Sequence, residues 1–197
     1  MIKVIIFDAD GVLIHSQRRF SVLLAEKYNI SLEETLPFFS GPFQKCLVGG
    51  ADLKEAITPY LKAWGWDKGV DSFLDVWFTT EHIINEEIIN YIQELRQNGI
   101  LCFVATNNEK YRFQYMLQQM HFTNSFDKTY ASAHLGSKKP DQEFFQKIFS
   151  ELQNVNKNEI LFVDDDEENI VGAKDFGIHA EFYTNFTDFK EKIKQYI

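Results

Sequence analysis

Short unbroken runs of β-branched and aromatic residues recur along the chain, separated by stretches in which apolar residues return every three or four positions. KVIIFD (3–8), ILCFVAT (100–106), KTYAS (128–132), EILFVD (159–164) and HAEFY (179–183) have the length and composition of buried strands. Between the later runs the period is helical: NEEIINYIQELRQNG (85–99) closes on Gly99, EKYRFQYMLQQM covers 109–120, DQEFFQKIFSEL covers 141–152, and NIVGAKDFG (169–177) closes on Gly177. After HAEFY a terminal helix follows. Strands alternating with helices predict parallel pairing with right-handed crossovers.

The stretch from about 15 to 80 departs from this rhythm, because no strand alternation appears in it. RRFSVLLAEKY (18–28) sets Phe20, Leu23, Leu24 and Tyr28 on one helical face. Ser31 with Glu34 and Asp52 with Glu55 have capping-box spacing. Thr58 followed by Pro59 predicts a new helix start, and DSFLDVWF (71–78) continues the helical, aromatic character. The predicted architecture is α/β: a Rossmann-like parallel sheet core over 1–14 and 82–197, with a helical cap over 15–81 inserted after the first strand.

Net charge is −9 and the composition is ordinary for a globular chain, apart from 19 Phe that predict an aromatic interior. The acidic balance argues against nucleic acid as a partner and requires a local cation to draw in any anionic substrate. No apolar run reaches the roughly 20 residues of a membrane span, and no signal-peptide pattern opens the chain. The two cysteines, Cys46 and Cys102, make no disulfide framework, and Cys102 reads as a buried strand thiol. A cytoplasmic protein without a membrane partner is expected, as a monomer or small homo-oligomer.

Candidate chemistry collects at the strand ends. Asp8 and Asp10 follow the first strand, Thr106 and Asn107 end the second, Lys139 lies in the loop after the third, and Asp164 and Asp165 end the fourth. In an open parallel sheet ligands bind at the carboxyl ends of the strands, so these groups converge on one crevice. Acidic positions on two strands suit a hard divalent cation. An Asp carboxylate can accept a phosphoryl group as an aspartyl-phosphate, and a second carboxyl two residues on can move the proton. Lys138 reads as solvated. The five histidines show no metal-ligand spacing, and Trp64, Trp66, Trp77 and Phe78 read as cap core in preference to a substrate platform. Gly49 and Gly50 in LVGGAD read as an interhelix turn or as a loop over the crevice.

DADGV at 8–12, VATNN at 104–108, KKP at 138–140 and FVDDDEEN at 162–169 resemble the four ordered motifs of the haloacid dehalogenase superfamily. The place of the insertion is similar to that in members with a C1 helical cap, and the nearest resemblance is to sugar-phosphatase and epoxide-hydrolase N-terminal phosphatase members. The resemblance implies a Mg²⁺-dependent phosphatase of a small phosphorylated metabolite. It implies Asp8 as nucleophile and metal ligand, Asp10 as general acid/base with its carbonyl on the metal, and Thr106 with the Asn107 N–H on phosphate. Lys139 neutralises nucleophile and phosphoryl group, and Asp164 and Asp165 complete the Mg²⁺ site, with Asp165 favoured as the direct ligand. Asp10 argues against dehalogenation. A phosphomutase of the β-phosphoglucomutase type and a noncatalytic phosphate-binding regulator are the alternatives. Selectivity among substrates is assigned to the cap, around LVGGAD and Trp64.

Overall fold

The computed structural model describes residues 1–15 and 20–197. Five parallel strands, β1 (Val4–Phe7), β2 (Leu101–Thr106), β3 (Lys128–Ala131), β4 (Ile160–Asp164) and β5 (His179–Phe182), lie in the order β3-β2-β1-β4-β5. β1 is central, with Val4 opposite Leu101 on one side and Ile160 on the other. The chain builds outward through β2 and β3, then crosses β1 to add β4 and β5. The direction of building therefore reverses at β1, and the carboxyl end of β1 is where a crevice opens.

Period-two alternation divides the strand side chains between two cores. Ile5, Phe7, Cys102, Val104, Leu161 and Val163 face one cluster with Ile88, Ile92 and Phe189. Those come from α6 (Glu86–Gln97) and α12 (Phe186–Ile193). Val4, Ile6, Phe103, Ala105 and Phe162 face the other, with Phe144, Phe145, Ile148 and Phe176. Burial on both faces explains why the strands read as continuous apolar runs.

Residues 20–80 form five helices: α1 (Phe20–Tyr28), α2 (Leu32–Ser40), α3 (Pro42–Leu47), α4 (Leu53–Ala63) and α5 (Val70–Thr80). They bury a third cluster that includes Phe38, Ile57, Trp64, Trp66, Phe73 and Phe78. Its entry and exit run side by side, because Ile14 bridges Ile84 and the His15 N–H donates to the Ile83 carbonyl at 2.7 Å. The remaining helices are α7 (Lys110–Gln118), α8 (Phe122–Ser125), α9 (Ser132–Leu135), α10 (Gln142–Ser150) and α11 (Glu167–Phe176).

Several expectations change in detail. Positions 18 and 19 of the helix expected over 18–28 lie outside the described residues. The Ser31–Glu34 capping box is complete, whereas Asp52 caps α4 through the Lys54 and Glu55 N–H groups alone. No helix starts at Thr58–Pro59: α4 runs through Pro59. Its start is set by the Asp52 cap, and Leu53, Ile57 and Leu61 already define one buried face. The donor that Pro59 lacks would have served the carbonyl of Glu55, an exposed residue, so no buried acceptor is stranded. Lys138 is half-buried and donates to Gln44 Oε1 of α3 at 2.8 Å, tying the helical insert to the core. No helix of the described residues is long and apolar enough to cross a membrane.

Candidate active site

β1 ends at Phe7, and the Asp8 N–H still donates to Val163, which fixes the Asp8 side chain over the strand ends. The chain then turns at Gly11, whose φ of +98° is costly for a residue with a side chain. A Cβ at Gly11 would also overlap the Asp165 carboxylate. One glycine thus both makes the turn that carries Asp10 and leaves space for Asp165.

Lys139, expected in the loop after β3, reaches this point from the loop between α9 and α10, because α9 follows β3 directly. It is 2% exposed, and its Nζ lies 2.5 Å from Asp8 Oδ1 and 2.7 Å from Asp164 Oδ2. The Asn107 amide holds its backbone on both sides: Asn107 Nδ2 donates to the Lys139 carbonyl (3.0 Å) and Asn107 Oδ1 accepts the Lys139 N–H (2.9 Å). The end of β2 therefore positions the lysine. Asp164, fully buried, also accepts from the Asp166 N–H at 2.9 Å and from Asn169 Nδ2 at 3.1 and 3.2 Å. Asp165, by contrast, is exposed.

Carboxylate oxygens of Asp8, Asp164 and Asp165 lie within 4.8 Å of one another. Three carboxylates share one ammonium, and the electrostatics show the imbalance. Burial pushes the Asp8 carboxyl up to about 8 despite Lys139, with Asp164 adding to the rise. Asp165, although its outer side is open, is raised first by desolvation from the groups packed around its carboxyl and then by Asp164. Burial alone would lower Lys139, but Asp8 and Asp164 outweigh it and hold the ammonium above its ordinary value. An all-oxygen set with unbalanced negative charge fits a hard divalent cation.

On the other flank, Asn108 Nδ2 donates to Asp10 Oδ2 and to Thr106 Oγ1, both at 2.7 Å. Thr106 is 1% exposed at the end of β2. Arg112 of α7, 3% exposed, donates to the carbonyls of Phe78 (3.0 Å) and Glu81 (3.1 Å) and lies 3.4 Å from Asp10 Oδ1. All the residues expected at the strand ends thus gather at one crevice. The LVGGAD turn and Trp64 do not line the cavity beside Asp10. Gly49 packs against the Ala133 carbonyl, and the Trp64 indole donates to the Glu34 carbonyl within the insert's own core. Trp77, read as cap core, is half-buried and lines that cavity. Asn108, Arg112 and Asn169 were not expected. Asn108 sits in the quoted VATNN stretch, but nothing in the sequence marks Arg112.

A capped parallel α/β fold with a carboxylate–lysine crevice is the class that fold and site define. A family model described as haloacid dehalogenase-like hydrolase matches residues 5–182, and the chain belongs to that family. A D-ribitol-5-phosphate phosphatase of Bacteroides thetaiotaomicron is 24% identical over 98% of this chain and 97% of its own length. A sesquiterpene phosphatase of Aspergillus oryzae is 33% identical over 88 residues, 44% of this chain; the chain spans less than half of that relative's length. A Bacteroides thetaiotaomicron HAD family enzyme, solved with magnesium and inorganic phosphate, superposes with a TM-score of 0.80 at 20% identity, covering 96% of this chain and 99% of that one. At that identity the likeness speaks for the fold.

Proposed function

We propose that the chain is a Mg²⁺-dependent phosphomonoester hydrolase of a small phosphorylated metabolite, working through an aspartyl-phosphate on Asp8. The observation that carries this is the buried Asp8–Lys139–Asp164 cluster at the reversal point of the sheet, with Asp10 two residues beyond Asp8 on the substrate side. The phosphatase names of two relatives support the reading.

In this reading Asp8 attacks phosphorus as the ionised carboxylate, and the bond to the leaving oxygen breaks. Asp10, oriented by Asn108 and Arg112, gives that oxygen its proton, then takes one from the water that attacks the aspartyl-phosphate. Inorganic phosphate leaves and Asp8 is regenerated. The Thr106 hydroxyl and the Asn107 N–H receive the phosphoryl oxygens, and Lys139 neutralises charge beside Asp8. Asp8, Asp164 and Asp165 would hold Mg²⁺, together with the Asp10 carbonyl. Asp165 is the readier direct ligand, because both oxygens of Asp164 already accept hydrogen bonds. When bound, the cation supplies the positive charge that keeps Asp8 ionised and offsets its repulsion from phosphate. Residues 1–14 and 82–197 serve as the catalytic core and 15–81 as the cap.

The test is release of inorganic phosphate from an aryl phosphate, with Mg²⁺ and with chelator. Activity that needs Mg²⁺ and vanishes in Asp8→Asn is expected. Full activity in chelator, or in a folded Asp8→Asn protein, refutes the reading.

A further inference from the structure

Beside Asp10, a cavity of about 350 Å³ opens between the core and the helical insert. That is the size of a small-molecule site and holds a group of about ten water-sized atoms. Its walls are apolar. Phe20 and Trp77 stack at 5.5 Å with planes 7° apart, and Phe39 stands edge-on to Trp77 at 5.4 Å. At the rim, Leu32 and Leu36 of α2 are 58% and 55% exposed, although apolar side chains of that size elsewhere in the insert are mostly buried.

Among the described lining residues the polar ones are Asp10, Glu81 and Ser21. Asp10 belongs to the reacting end. Glu81 is already engaged: Oε1 accepts the Phe20 N–H at 3.2 Å, and Oε2 accepts the Trp77 indole N–H at 2.9 Å. Its carboxylate therefore braces the aromatic wall. Among the described lining residues, Ser21 is the one side chain with a hydroxyl, and none is a lysine or arginine. A polyol placed here would set most of its hydroxyls against carbon, and each one buried without a partner costs about ten-fold or more in affinity. A second anionic group would meet the carboxylates of Asp10 and Glu81, while the Arg112 guanidinium beside them is already committed to Asp10 and to the carbonyls of Phe78 and Glu81.

We infer that the substrate is the monophosphate of an apolar alcohol, whose hydrocarbon group sits against Phe20, Leu32, Leu36, Phe39 and Trp77 while its phosphoryl group faces Asp8. This rests on the phosphatase reading for the phosphoryl end and deepens it at the other. Burial in this cavity raises kcat/KM by about four-fold per methylene until the space is filled.

The test compares n-alkyl phosphates from ethyl to octyl with polyol phosphates of matched length, at fixed Mg²⁺. A parallel titration of non-hydrolysable n-alkyl phosphonates follows tryptophan emission, since Trp77 forms one wall. The expected result is a rise of about four-fold per methylene in kcat/KM and in phosphonate affinity, with polyol esters at least ten-fold below their alkyl counterparts. Leu36→Asp, at an exposed position that does not endanger folding, should cut the octyl-to-ethyl ratio at least ten-fold; the ratio is independent of the amount of active protein. A flat profile or a preference for polyol phosphates overturns the inference. So does a flat profile with a dimer that Leu36→Asp dissociates, because the rim would then serve a second copy of the chain. If no ester is hydrolysed but phosphonate affinity still rises with chain length, the phosphatase reading fails and the apolar site stands.

Discussion

Replacing Lys139 with Met keeps an apolar stem of similar length and deletes the one ammonium in the crevice. The side chains of Lys139, Asp8 and Asp164 are 1%, 10% and 0% exposed, so neither carboxylate can recover its lost partner from bulk water. Removing one member of a buried ion cluster costs about 3–5 kcal/mol, a large part of the roughly 5–15 kcal/mol of a typical domain. With a urea slope of about 2 kcal/mol/M, the midpoint falls by about 2 M. The assay is urea unfolding in chelator at several pH values. Asp8 in the folded state is raised above its unfolded value, so between about pH 4 and 8 the folded chain binds the extra proton. Stability is therefore present at the acid end and is lost as pH rises through that window. Loss of Lys139 removes an interaction that opposes the rise, so both folded proteins keep the Asp8 proton from pH 5 to pH 7 and the gap between them holds steady there; it should widen above about pH 8, where wild type gives up that proton and the variant retains it. Excess Mg²⁺ should restore about 2.7 kcal/mol at 100 times its Kd, by binding the folded state alone. A variant as stable as wild type at pH 7 in chelator, or a gap that stays constant above about pH 8, would refute the buried ion cluster.

Asp8→Asn should abolish phosphate release yet leave the chelated protein at least as stable as wild type at pH 7, measured by thermal melting, because Asn is buried without the proton uptake that burying Asp8 requires at that pH. Gly11→Ala should weaken Mg²⁺ binding in calorimetry and lower stability by about 1 kcal/mol or more, since the new side chain both meets φ of +98° and displaces Asp165. Arg112→Met should cost about 2–3 kcal/mol in urea melts by stranding the carbonyls of Phe78 and Glu81; Arg112→Lys should restore only part of it, because a point charge cannot fork between the two. Asp52, held down to about 2 first by the Lys110 hydrogen bond, should contribute stability that is fully present above its unfolded value near 4 and lost as pH falls toward 2. Asp52→Ala, which also uncaps α4, should flatten that acid limb at a cost of about 1 kcal/mol at pH 7.

What the sequence disclosed and what it hid follow from the range of the interactions involved. The strands were legible because β1 and β4 are buried on both faces, so their composition alone betrays them. Asp8, Asp164 and Thr106 were legible because parallel pairing brings every strand's carboxyl end to the same edge, and a position relative to a strand is then a position in space. Lys139 lies in a loop, and only its place in an ordered motif set exposed it; the Asn107 clamp that delivers it is a contact across 32 residues. Arg112 is the opposite case. It sits on an amphipathic helix whose period predicts a face but not that a buried guanidinium will reach 34 residues back to the Phe78 carbonyl. Pro59 misled for a local reason: a proline marks a helix start only if no stronger start precedes it, and the Asp52 cap does. The cavity beside Asp10 was hidden most completely, since Phe20, Leu36 and Trp77 each belong to a face that reads as core. Core and cavity wall use the same residue types at the same period, and only the packing of α1, α2 and α5 decides which aromatic faces another and which faces open space.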